Sequence, residues 1–73
     1  MTTTRINGIT KRQAQKSDCI DRKYRINAEK AYMDFEGILY VELLDIPQRW
    51  YSILRDGTVF NQWGEKIDFR RDF

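Results

Sequence analysis

Histidine is absent from the 73 residues, and cysteine occurs once, as Cys19. Without histidine, Ser-His-Asp and Cys-His nucleophilic sites cannot be built, and the usual zinc ligand sets lack their donors. A single cysteine allows no intramolecular disulfide, which is typical of a reducing compartment. The composition therefore predicts a protein that is not an enzyme, uses no cofactor or metal, and works by contact.

Long apolar stretches are also missing. The longest uncharged apolar run, residues 37–41, is five residues long, which is far too short to cross about 30 Å of hydrocarbon. The first seven residues contain no apolar core of the kind found in secretory signals. We therefore expect no membrane association and a cytoplasmic location.

The chain has room for one domain. A domain of this length buries only about 60% of the surface that its unfolded chain exposes, so it can form only one core. Hydrophobic residues make up 41% of the chain and charged residues 33%, which is typical of a globular domain rather than a disordered one. We expect a monomer.

Charge and aromatic content divide the chain unequally. Residues 1–30 contain eight basic and three acidic residues, whereas residues 31–73 contain five basic and eight acidic ones. Nine of the ten aromatic residues lie in the second part, and only Tyr24 lies in the first. The sequence thus combines a basic, aromatic-poor leader with an acidic, aromatic-rich body.

Three segments are predicted from this pattern. Residues 1–17 form a flexible basic leader, residues 18–69 a single antiparallel β domain, and residues 70–73 a frayed C-terminus. Within the leader, Thr10 and Gln13 have capping-box spacing, which favours a short helix through Lys16 with almost nothing to bury. Alternation of apolar and polar residues predicts a first strand over residues 22–28.

Two hairpins are predicted further along the chain. Alternation over residues 32–35 and 38–44 favours a hairpin, with a single strand bent at Gly37 as the alternative. A second hairpin, with its turn at Gly57, joins residues 49–54 to residues 58–63. A two-residue turn would place Leu54 opposite Val59, and a three-residue loop would place Ile53 there; both remain open. The fold class is mainly β: a small antiparallel sheet of four or five strands with at most one short helix.

Aromatic residues supply the predicted core and part of the predicted surface. The expected core residues are Phe35, Trp50, Phe60 and Trp63. Because one sheet has one face to bury, some members of a partly overlapping set should stay exposed as contact anchors: Tyr32, Tyr40, Tyr51 and Trp63.

Charged side chains suggest two further sites. Asp34, Glu36 and Glu42 can share one sheet face and could act as acid and base. A solvated strand face, which the alternation predicts without further assumptions, is the favoured interpretation. The leader cations can neutralise phosphates, but only Tyr24 lies among them to stack on bases. A solvated tail is the favoured interpretation, and direct nucleic-acid contact is secondary.

The length, the basic opening segment (residues 1–12, MTTTRINGITKR) and the closing segment (residues 63–73, WGEKIDFRRDF) resemble those of small phage-encoded regulators that bind the RNA polymerase of their bacterial host. The resemblance implies a non-enzymatic protein that binds the N-terminal region of the β′ subunit and the β flap. It implies competition with the σ factor, inhibition of initiation, and antitermination. Other possibilities are a small nucleic-acid-binding β domain and an inhibitor of another host machine, such as a defence nuclease.

For such a regulator, the opposite charges of the two parts of the chain predict two contact edges on a large partner. One edge is formed by Arg22, Lys23, Tyr24 and Arg25, and the other by Asp34, Glu36, Tyr40 and Tyr51.

Overall fold

The computed structural model describes residues 8–72 and contains two helices and four strands in that range. Neither of these helices is long and apolar enough to span a membrane. In chain order the elements are α1 (Lys11–Tyr24), β1 (Tyr32–Met33), β2 (Leu39–Glu42), β3 (Trp50–Ile53), β4 (Val59–Asn61) and α2 (Phe69–Asp72).

The four strands form one antiparallel meander in the order β1-β2-β3-β4. Tyr32 pairs with Tyr40 and Met33 with Leu39, so the first predicted hairpin is confirmed and the single bent strand is wrong. Gly37 has φ +85° in the connecting turn, a conformation that glycine adopts at little cost. The predicted mainly β fold, a small antiparallel sheet built from hairpins, is confirmed.

The second hairpin uses the three-residue loop. Ile53 lies opposite Val59, and the N–H of Leu54 donates to the carbonyl of Thr58 at 2.8 Å. The two-residue turn is therefore wrong. Gly57 in the loop has φ +94°, and this left-handed backbone is the reason that glycine stands there.

Helix α1 is longer than the sequence predicts. Its capping box is confirmed: the N–H of Gln13 donates to Thr10 Oγ1 at 3.1 Å, and the N–H of Thr10 donates to Gln13 Oε1 at 2.9 Å. The helix passes Lys16 and ends at Tyr24, because its buried residues Gln13, Ser17 and Ile20 recur on one side. Two of these three are polar, so a search for apolar periodicity does not detect the stripe.

Two predicted segments change as a consequence. The strand predicted over residues 22–28 is wrong; within it only Ile26 makes a β-bridge, to Leu43. The predicted leader boundary at residue 17 falls inside α1, and residues 1–7 of that leader lie outside the described residues. At the other end, α2 forms where a frayed terminus is predicted, and Phe73 lies outside the described residues.

The core is mainly aliphatic and includes one aromatic residue, Tyr51, among its buried members. It lies between α1 and one face of the sheet and consists of Ile20, Ile26, Leu39, Val41, Leu43, Tyr51, Ile53 and Val59. The predicted core residues Phe35 and Trp63 are 98% and 63% exposed, because both fall in turns beyond the strand ends. Trp50 and Phe60 are half-buried on the other face, so none of the four predicted aromatics belongs to this core.

A buried glutamine joins the helix to both hairpins. Gln13 is fully buried, and its Nε2 donates to the carbonyl of Gly37 at 2.7 Å and to that of Ile53 at 3.0 Å. The hydroxyl of Thr10 also donates to the carbonyl of Arg55 at 2.8 Å. The start of α1 is thereby fixed to the β1–β2 turn and to the end of β3.

Replacing Gln13 by alanine should destabilise the fold by about 2–6 kcal/mol, because the buried carbonyls of Gly37 and Ile53 would each lose a partner at about 1–3 kcal/mol. Urea denaturation measures the free energy of unfolding. Gln15→Ala is the matched control, since Gln15 lies on the same helix but is exposed. Equal stability of the two variants would contradict a linking role for Gln13.

Candidate binding surfaces

The side of the sheet that faces away from α1 is rich in aromatic residues. Even-numbered strand residues project to this side, since the odd-numbered Leu39, Val41 and Ile53 are buried in the core. Apart from the buried Glu42 at the end of β2, these residues form a surface that we call the aromatic face; its members are Tyr32, Tyr40, Trp50, Ser52 and Phe60.

The rings of the aromatic face contact one another. Those of Tyr32 and Tyr40 stack with centroids 5.0 Å apart, and Tyr32 meets Trp50 edge-on at 6.0 Å. With Ile38, Leu54 and Gln62, they line an open groove of about 680 Å³. Tyr32 is 52% exposed, so aromatic carbon is available to a partner along this face.

The rim of the aromatic face contains an ordered carboxylate. Asp34 Oδ1 accepts from the N–H groups of Glu36 at 3.0 Å and Ile38 at 2.9 Å, and its Oδ2 accepts from the Tyr40 hydroxyl at 3.0 Å. The Ile38 bond is the largest cause that holds the pKa of Asp34 below its usual value. Burial, followed by the bond to Asp34, raises the pKa of Tyr40.

The second predicted contact edge is therefore only partly assembled. Asp34, Glu36 and Tyr40 lie together at one end of the aromatic face, but Tyr51 is 4% exposed on the opposite side of the sheet. Tyr51 pairs with Val41, so it must project into the core with that residue. The assignment of Tyr51 to a contact surface is wrong.

The three predicted carboxylates do not form one solvated row. Asp34 and Glu36 lie at the β1–β2 turn, whereas Glu42 is buried at the other end of β2. Its Oε2 accepts from the N–H of Gln48 at 2.9 Å, and its Oε1 lies 3.5 Å from Lys30 Nζ. Residues 8–72 contain no group of three or more cysteine or carboxylate side chains placed to hold a metal ion.

A second surface lies where the C-terminal segment meets α1. We call it the basic groove. It has a volume of about 720 Å³ and is lined by Arg12 and Lys16 from α1, by Lys66, Arg70 and Arg71 from the C-terminal segment, by the acidic Asp56 and Asp68, and by Gly57, Thr58, Val59, Ile67 and Phe69. Cations thus outnumber carboxylates five to two around it.

Backbone pairing brings the C-terminal cations to this position. The N–H of Ile67 donates to the carbonyl of Val59 at 2.8 Å, and Lys66 makes a β-bridge with Phe60. Helix α1 approaches from the other side over Gly57, where a Cβ atom would lie 3.2 Å from the Cβ of Arg12. Glycine at this position therefore permits the close approach of the two walls.

Phe69 connects the basic groove to the end of α1. The ammonium of Lys16 lies 4.6 Å from the centre of the Phe69 ring, within the range of a cation–π contact. Phe69 also lines a smaller hollow with Cys19, Arg22 and Lys23. The positive surface therefore continues along the exposed side of α1.

The four residues of the predicted basic edge do not form one surface at the end of α1. Arg22 and Lys23 border the hollow beside Phe69, whereas Tyr24 is half-buried and packs against the core. Arg25 follows the helix with φ 58°, and its Nε donates to Asp45 Oδ1 at 3.1 Å. The bond to Arg25 lowers the pKa of Asp45.

The sequence gives no local sign of the basic groove. Arg12 and Lys16 are about fifty residues distant from Lys66, Arg70 and Arg71, and the charge balance assigns the latter three to an acidic body. An indirect sign exists in the alternating Ile67 and Phe69, which indicate a segment able to pack beside a strand. Its packing partner does not follow from that pattern.

No protein-family model, curated protein or solved structure matches this chain. Function is therefore inferred from the chemistry of the two surfaces. The aromatic face offers apolar contact area with ordered polar atoms at its rim, whereas the basic groove offers concentrated positive charge.

The Asp34 carboxylate should make the stability of the β1–β2 hairpin depend on pH. Because the pKa of Asp34 is lower in the folded state, its carboxylate stabilises the fold at pH values above the unfolded pKa of about 3.9. This contribution is lost as pH falls through the folded-state pKa. Asp34→Asn should therefore lower the thermal midpoint at pH 7, and the difference from wild type should shrink as pH falls from 7 toward 2 and the wild-type carboxylate takes up its proton. Thermal unfolding between these pH values tests this.

Glu36→Gln, in the same turn and exposed, is the matched control and should lower the midpoint much less at pH 7. A difference between wild type and Asp34→Asn that stays constant with pH would contradict a role for the ionised carboxylate.

Proposed function

We propose that this protein is a non-enzymatic regulator that binds bacterial RNA polymerase in the cytoplasm of an infected cell. Its contacts are the N-terminal region of the β′ subunit and the β flap, where it displaces the σ factor. The consequences are inhibition of promoter-dependent initiation and antitermination by the elongating enzyme. The sequence resemblance to phage-encoded polymerase regulators supports this choice of partner.

The observation that carries the proposal is the uncovered aromatic face. Tyrosine and tryptophan are enriched at the centres of protein interfaces, where they supply much of the binding energy. Here Tyr32, Tyr40 and Trp50 form a contacting group on the side of the sheet away from α1. Their rings hold one another in place, so little side-chain entropy is lost on binding.

Two chemically different surfaces suit a partner with several subunits. The aromatic face lies on one side of the sheet, and the basic groove lies beside the helix that covers the other side. Two modest contacts on one assembly act together, since the second forms within a complex already held by the first. Displacement of σ then requires only that the two footprints overlap.

Tyr32→Ala should weaken binding to purified RNA polymerase core enzyme by about thirtyfold, which corresponds to an interface anchor worth about 2 kcal/mol. Leu44→Ala is the matched control, because Leu44 is 49% exposed, close to the 52% of Tyr32, but does not line the aromatic face. Fluorescence titration of labelled protein gives both affinities, and competition with σ tests displacement in the same assay.

Equal losses for Tyr32→Ala and Leu44→Ala would remove the aromatic face from the interface. Absence of wild-type binding to core enzyme would overturn the choice of polymerase. Affinity capture from bacterial lysate, with and without Tyr32→Ala, would then show whether another host assembly, such as a defence nuclease, depends on this face.

A further inference from the structure

Five cationic side chains from distant parts of the chain converge on the basic groove. Like charges held together repel one another, so such a group opposes folding unless an anion neutralises it. The Asp56 and Asp68 carboxylates also line the groove and offset two of the five cations, which leaves a surplus of three positive charges around it. Asp56 also accepts from the N–H of Thr58 at 2.9 Å.

We propose that the basic groove binds the phosphate backbone of single-stranded nucleic acid. This activity goes beyond the polymerase contacts proposed above for the aromatic face and the basic groove, and it requires no polymerase. It is a sequence-independent contact, since nothing in the groove is arranged to identify base edges.

Arginine content favours phosphate over an isolated carboxylate. Three of the five cations are Arg12, Arg70 and Arg71, whose planar guanidinium groups donate two parallel hydrogen bonds to phosphate oxygens. A polynucleotide presents one charge at every residue, so several cations on both walls are neutralised at once. Release of the ions condensed on the polymer adds to the affinity.

The shape of the groove favours a single strand over a duplex. Cations stand on both walls of the groove, as in channels that follow the backbone of a single strand: Arg12 and Lys16 on one wall, and Lys66, Arg70 and Arg71 on the other. Phe69 also lines the groove, with the Lys16 ammonium 4.6 Å from the centre of its ring.

The test is fluorescence anisotropy with a labelled single-stranded oligonucleotide of mixed sequence, titrated at several salt concentrations. Lys16→Gln/Arg70→Gln removes one cation from each wall. Each phosphate contact on a single strand contributes about 0.7 to the magnitude of the slope of log K against log salt. Loss of two contacts in this double variant should therefore reduce that magnitude by about 1.4. At about 0.15 M salt this corresponds to a loss of affinity of about tenfold.

Lys11→Gln/Arg55→Gln is the matched control, because it removes the same two residue types from exposed positions outside the groove. It should change the slope and the affinity little. Equal losses in both double variants would mean attraction by net charge alone and would overturn the site, as would absence of wild-type binding at low salt.

Two further ligands complete the test. Tighter binding of a duplex of the same sequence would overturn the single-strand assignment, and equally tight binding of polyglutamate would replace nucleic acid by an acidic polypeptide. Circular dichroism of both double variants checks that they are folded. The result is independent of the proposed function, because the assay contains no polymerase and leaves Tyr32 intact.

Discussion

The position of every surface depends on the buried amide of Gln13. Its oxygen completes the helix cap, and its nitrogen donates to two carbonyls that belong to different hairpins. Both N–H groups of the amide donate and its oxygen accepts, so no polar atom of this buried side chain lacks a partner. These bonds fix where α1 begins and which side of it faces the sheet. The adjoining side of the helix, which carries Arg12 and Lys16, is consequently directed toward the C-terminal segment.

A small domain with one long helix can cover only one face of its sheet. The covered face is filled mainly by branched aliphatic side chains, with Tyr51 among them, and these pack closely beneath α1. The other strand rings lie on the opposite face, where those of Tyr32, Tyr40 and Trp50 contact each other across the sheet. This is the reverse of the expectation that the largest side chains form the core. The aromatic face is therefore a consequence of how the chain divides its apolar residues between the two sides.

Features encoded by neighbouring residues were predictable, and those encoded by distant ones were not. The capping box of Thr10 and Gln13 and the two hairpins depend on spacings of a few residues, which the sequence displays directly. The side to which Tyr51 points depends on strand register, since only pairing with Val41 commits it to the core. The full length of α1 depends on buried polar residues such as Gln13, which bonds to both hairpins. A search for hydrophobic periodicity does not detect such residues.

The distribution of charge on the surface also depends on contacts between residues that are distant in the sequence. Along the chain, positive charge is concentrated before residue 31 and negative charge after it, which suggests a molecule with one basic and one acidic end. Folding rearranges this distribution, because the pairing of Ile67 with Val59 carries Lys66 and its neighbours to the cationic side of α1. The Asp34 carboxylate, at the rim of the aromatic face, lies away from these cations. The charge separation relevant to a partner is therefore between one side of the sheet and the helix packed on the other. A partner's field can orient such a molecule before contact, so that each surface meets a patch of suitable chemistry.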